Sequence, residues 1–170
     1  MSSPDPLDRL YDEHAQALFA FLLNFTRNEA DTRDLLQEVF CKLAARPALL
    51  ENVRDQRGFL LRLAHNQAID YARRRCTREK NHEQLAAAMA SPFAPAADPD
   101  AAAFRQAMED ALGELPPEQR VVVHLKLWEK LTFEAIADTL EIPVNTAASR
   151  FRYGIDKLRE RLRPLYEEIK

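Results

Sequence analysis

Glycine is scarce in this chain, with three residues in 170. Together with abundant alanine, leucine, arginine and glutamate, that scarcity points away from a turn-rich fold and towards an all-α protein. Cysteine is almost as rare. Cys41 and Cys76 stand in no metal-ligand or redox spacing, which argues against a disulfide framework and fits a reducing compartment. No apolar run approaches membrane-spanning length, so no membrane insertion is expected. The start, Met1-Ser2-Ser3-Pro4-Asp5, lacks the basic and apolar stretches of a signal peptide. A cytoplasmic protein is the expectation.

An overall basic charge is missing too. The formal net charge is −3, so any nucleic-acid binding must rest on local patches. Arg73, Arg74, Arg75, Arg78 and Lys80 crowd one such patch, and Arg150, Arg152, Lys157, Arg159, Arg161 and Arg163 another. Glu29, Asp31, Asp34 and Glu38 collect elsewhere. There is no phosphate loop, nucleophile motif or histidine–carboxylate metal spacing, and His14, His65, His82 and His124 form no recognisable cluster. No catalytic residue, metal site or cofactor is expected.

What is present is helical periodicity. Leu7, Leu10, Tyr11, His14, Leu18, Phe21, Leu22 and Phe25 make one stripe on a helix from about Pro6 to Thr26. Asn28 or Asp31 can cap a second helix that buries Leu35, Leu36, Val39, Phe40 and Leu43 and ends at Pro47. A third, from about Gln56 to Arg75, is expected to bury Phe59, Leu60, Leu63, Ile69 and Tyr71. The pattern then stops. The Ser91–Asp100 stretch holds three prolines and reads as part of a flexible linker. A second helical unit follows. Phe104, Ala107, Met108, Ala111 and Leu112 form a face that Gly113 can close, and Pro116 and Pro117 suit the first turn of the next helix. Val121, Val122, Leu125 and Trp128 supply that helix's apolar positions. The predicted domains are 1–78, a linker 79–103, and 104–170.

The segment Thr132–Tyr153 reads as a helix-turn-helix. Thr132 caps the first helix, Ile136 and Leu140 bury inward, and Ala137 permits close helix approach. Ile142 fills the gap, Pro143 sets the turn, and Asn145 or Thr146 caps the second helix, held down by Ala147, Phe151 and Ile155. Glu141 stands where such turns often carry glycine, which predicts strain if the backbone there is left-handed. An ordinary helical hairpin with a solvated charged face is the plainer alternative.

The segment Thr132–Leu158, entered through Leu115-Pro116-Pro117-Glu118-Gln119-Arg120, resembles the fourth conserved region of RNA polymerase sigma factors. Asp31–Phe40 resembles the part of their second region that meets the polymerase. Arg57–Asn66 and Ile69–Arg74 resemble the part that reads the −10 promoter element. With no third region between, the likeness is to the small extracytoplasmic-function (ECF) group of the sigma-70 family. It implies two helical domains that bind core RNA polymerase and promoter DNA, with an anti-sigma factor as regulator. Asp31, Asp34, Gln37 and Glu38 are the implied polymerase contacts. Arg62, Asn66, Arg73, Arg74 and Arg75 are implied at the −10 element, Asn66 holding an unstacked base. Asn145, Thr146, Ser149, Arg150 and Arg152 are implied at the −35 element. Relatives often carry lysine where Ala148 stands and a basic residue where Tyr153 stands. The competing reading is a conventional helix-turn-helix regulator whose N-terminal bundle senses a signal or dimerises.

Overall fold

The computed structural model describes residues 6–79 and 99–168. All regular structure among them is helical: α1 (Pro6–Thr26), α2 (Glu29–Ala45), a single 3₁₀ turn (Pro47–Leu50), α3 (Gln56–Glu79), α4 (Pro99–Glu114), α5 (Pro117–Leu127), α6 (Phe133–Leu140) and α7 (Val144–Glu168). Two compact units result, one built from α1–α3 and the other from α4–α7. Most of the expected linker, residues 80–98, lies outside the described residues. At its far end the structure differs from the expectation, because α4 already begins at Pro99 rather than near Phe104. Proline fits a first helical position, where its missing N–H has no partner to lose.

In the first unit, α1 and α2 meet at a tight polar corner. The Asn28 side chain accepts the Asp31 N–H at 3.0 Å, so Asn28, not Asp31, caps α2. The buried hydroxyls of Thr26 and Thr32 lie 2.6 Å apart, and Thr32 donates to the Asn28 carbonyl. Arg27 takes a left-handed conformation (φ 52°) to make the bend. Pro47 halts α2 as expected. Asp55 then opens α3 by accepting the Gly58 N–H at 3.0 Å. A Cβ at Gly58 would lie 2.3 Å from the Asp55 carboxylate and would displace that cap.

The core joins Leu10, Leu18, Phe21 and Leu22 to Leu35, Val39 and Leu43, and to Leu60, Leu61, Ala64 and Ala68. The inner face of α3 is therefore not the predicted one. Phe59, Leu63, Ile69 and Tyr71 are only half-buried, while Leu61, Ala64, Gln67 and Ala68 turn inward. The small Ala64 and Ala68 side chains let α3 come close, and the buried Gln67 amide bridges two charged groups of α2. His65, expected on the exposed surface, is half-buried with its ring 5.7 Å from that of Phe25.

In the second unit, Ala111, Leu112 and Leu115 pack with Val123, Leu158 and Leu162. Gly113 does not close α4; it lies inside the helix without positive φ. Arg120 does the closing from the next helix. Its buried guanidinium donates to the carbonyls of Leu112 (2.8 Å), Gly113 (2.9 Å) and Leu115 (2.8 Å). A fixed positive charge at a helix C-terminus satisfies orphan carbonyls and meets the negative end of the dipole. Phe104 and Trp128, predicted on apolar faces, are exposed by 39% and 38%; Trp128 sits just past the end of α5. Gly154 permits close packing of α7 on α5, since a Cβ there would meet the Val123 side chain at 2.7 Å.

Candidate nucleic-acid interface

The helix-turn-helix is assembled largely from backbone groups. Thr132 caps α6 by accepting the Ala135 N–H at 3.2 Å, and Ile136, Ala137 and Leu140 are buried as expected. Glu141 is left-handed, with φ 55° and ψ 46°. Its N–H and that of Ile142 both return to the Ala137 carbonyl, which ends α6. The start of α7 corrects an expectation. The Pro143 carbonyl accepts the N–H groups of Thr146 (2.9 Å) and Ala147 (3.1 Å), so α7 begins at Val144 and neither Asn145 nor Thr146 is the cap. Both residues already sit in the first helical turn.

At 3.6 residues per turn, Asn145, Ser149, Arg152 and Asp156 share one face of α7, opposite the buried Ala147, Gly154 and Leu158. Asn145 and Arg152 are exposed, and the half-buried Ser149 donates to the Thr146 carbonyl at 3.0 Å. Thr146 and Arg150 lie on the flank, half-buried. The exposed row is bounded by an ion pair between Asp156 and Arg159 at 3.7 Å. Arg161, further along the basic run, pairs with Glu114 of α4. One residue on this surface was not among the expected −35 contacts. Tyr153 is 53% exposed, and the Arg152 guanidinium lies over its ring, 5.1 Å from the centroid. Its position one turn after Ser149 was the available signal.

On α3 the expected basic residues divide. Arg62, Asn66 and Arg73 fall on one exposed face, opposite the buried Leu60, Ala64 and Ala68. Asp70 borders that face and lies 4.0 Å from Arg73. Arg74 and Arg75 turn to other work. Arg74 reaches Glu38 of α2 at 3.7 Å, and Arg75 donates to the Tyr71 hydroxyl at 3.4 Å. That hydroxyl in turn donates to the Asp31 carboxylate at 2.6 Å. Burial, reinforced by this bond to Asp31, pushes the Tyr71 phenol above its ordinary pKa. Below them Gln67 accepts from Lys42 (2.6 Å) and donates to Glu38 (3.3 Å). A polar seam thus fastens α2 to α3.

The seam alters the acidic surface of α2. Asp34, Gln37 and Glu38 are exposed as expected, but Asp31 is half-buried and engaged by Tyr71 rather than pointing outward. Beside the exposed residues a cleft of about 530 Å³ opens between α1 and α2, lined by Leu7, Tyr11, Leu36, Gln37, Phe40 and Cys41. Tyr11 and Phe40 meet edge to face across it, with centroids 4.9 Å apart. Among the described residues no group of histidine, cysteine and carboxylate side chains can hold a metal ion. Nor is any described helix long and apolar enough to cross a membrane.

These surfaces coincide with known sequence families. The Sigma-70 region 2 family matches residues 10–77, and the Sigma-70, region 4 family matches residues 105–158. The ECF RNA polymerase sigma factor SigL of Mycobacterium tuberculosis is 31% identical over 158 residues, covering 92% of this chain and 88% of SigL. The chain belongs to the ECF sigma factors of the sigma-70 family. The RNA polymerase sigma factor CarQ of Myxococcus xanthus is 30% identical over 168 residues, covering 97% and 94% of the two chains. In fold, the sigma factor resembles RpoE of Bartonella quintana, solved in complex with the anti-sigma factor NepR. The TM-score is 0.76 at 20% identity, covering 92% of this chain and 96% of that one. Region 2 occupies the very bundle that a conventional regulator would use as a sensor, so that alternative is not favoured. As a sigma factor the chain acts in transcription initiation, with core RNA polymerase and promoter DNA as its partners.

Proposed function

We propose a division of labour among the surfaces of this sigma factor. The exposed Asp34, Gln37 and Glu38 of α2 bind core polymerase, with Asp31 holding α2 in place from behind through Tyr71. Acidic and amide groups suit a basic polymerase surface. The outer face of α3 takes the opened −10 strand. Arg62 and Arg73 neutralise phosphates, and Asn66, with both donor and acceptor, reads the edge of an unstacked base. Arg74 and Arg75 add positive potential from the seam. The first turns of α7 enter the major groove at the −35 element, with Asn145 and Thr146 near the phosphates and Ser149, Arg150 and Arg152 near base edges or phosphates.

The observation that carries this reading is the separation of Arg62, Asn66 and Arg73, on one open face, from Arg74 and Arg75, which are tied into the bundle. That open face offers an amide and two guanidinium groups together, the chemistry an unstacked base and its phosphates need. The α1–α3 bundle and the α4–α7 unit then act as two binding domains on one chain. Tethering makes the second DNA contact local once the first has formed, which raises affinity without new contacts. The protein works in the cytoplasm as a regulatory subunit without catalysis of its own. An anti-sigma factor, like the one bound to the Bartonella protein, is its expected inhibitor.

Asn66→Ala tests the assignment of α3. Holoenzyme carrying it should bind duplex promoter normally but open it poorly, read as lost permanganate reactivity of −10 thymines. Wild-type reactivity in this variant would remove Asn66 from the proposed site.

A further inference from the structure

Tyr153 has the most exposed large apolar side chain among the described residues. It adds nothing to the core of the second unit, whose buried members lie on the opposite side of α7. It stands beside the exposed Asn145–Ser149–Arg152 row, and its ring supports the Arg152 guanidinium at 5.1 Å. A ring beneath a guanidinium restricts a side chain that otherwise loses much rotamer freedom on binding.

The chemistry at this position sets what it can read. A basic residue here would serve as a phosphate contact, indifferent to sequence and sensitive to salt. A phenol instead offers an apolar face and a hydroxyl. In the major groove the apolar feature that distinguishes one base pair from another is the thymine C5-methyl group. We propose that Tyr153 is a specificity-determining residue of this sigma factor: its ring packs on a thymine methyl of the −35 element and orients Arg152 beside it. The inference rests on the assignment of α7 to the −35 element above.

The test uses full-length chain with purified core polymerase. Templates randomised over the −35 element are first selected by transcription with the wild-type holoenzyme. Each thymine of the selected element is then replaced by uracil, which removes only the methyl. At one position uracil should lower wild-type transcription about fourfold, the factor that burying one methyl group is worth. The same replacement should leave Tyr153→Ala unaffected, while Tyr153→Phe keeps the wild-type response and shows that the fold tolerates change there. A selected element without thymine overturns the proposal. So does a Tyr153→Ala variant that stays uracil-sensitive, or one that weakens every template equally. If the wild-type chain gives no −35-dependent transcription at all, the assignment of α7 itself fails, and the inference with it.

Discussion

Replacing Arg120 by methionine keeps much of the side chain's length and removes its charge. The carbonyls of Gly113 (2.9 Å) and Leu115 (2.8 Å) then lose this donor, and that of Leu112 (2.8 Å) keeps only the Leu115 N–H at 3.2 Å. A buried acceptor left without its donor costs about 1–3 kcal/mol. With Gly113 and Leu115 losing the guanidinium and Leu112 keeping only the Leu115 N–H, the loss comes to about 2–6 kcal/mol. A small domain holds only about 5–15 kcal/mol in total, so the second unit should approach its unfolding threshold. The assay is built into the sequence. Trp128 is the only tryptophan, and it lies just beyond α5 in this unit. Urea titration followed by tryptophan fluorescence should show a much lower midpoint for Arg120→Met, with the slope little changed. Arg120→Lys should fall between the two, since a compact ammonium cannot match the planar fork. An unfolding free energy within about 0.5 kcal/mol of wild type, the range of ordinary surface changes, would refute the view that Arg120 closes α4.

Other substitutions probe separate features. Glu141→Gly should stabilise the same unit by about 0.5–1 kcal/mol, because relief of left-handed strain exceeds glycine's extra chain entropy; a lower urea midpoint would contradict this. The Tyr71 phenol is raised in the folded state, so its stabilising contribution is complete below the unfolded value near pH 10 and is lost as pH climbs through the folded value. Alkaline titration by circular dichroism should therefore show the first unit weakening above about pH 10, and Tyr71→Phe should flatten that decline; an unchanged alkaline profile would count against the seam. Reversing Asp34 to lysine should weaken core-polymerase binding several-fold while costing little stability, since Asp34 is exposed and stands outside the α2–α3 seam. Unaltered capture of core enzyme would exclude that face.

What could be read in advance follows a physical pattern. Although Tyr11 of the expected α1 stripe is 48% exposed, the span of α1, the Asn28 cap and the Pro47 stop are local signals, and each stands where the residues place it. So does the strained Glu141, whose conformation follows from the turn alone. Features set by which groups the folded chain brings together were not legible. Gly113 looks like a helix end, but Arg120 supplies the closing donors from another helix. Asn145 and Thr146 look like caps, but the Pro143 carbonyl satisfies the first turn of α7 and leaves them inside it. Arg75 and Asp31 look like surface charges until α2 and α3 pack and join them through Tyr71, and Arg74 stays exposed but reaches Glu38. The α1–α2 cleft has no linear signature either, since its lining comes from two helices. Within the candidate site, the sequence named the residues of α3 and α7; only packing could sort the open row from the seam.

The most direct measurement is start-site mapping on a library of bacterial genomic fragments, transcribed by purified core polymerase with and without this chain. The account predicts a small set of new start sites that appear only with the chain, share upstream boxes at the −10 and −35 positions, and vanish when either box is scrambled. Identical start sites in the two reactions would contradict it.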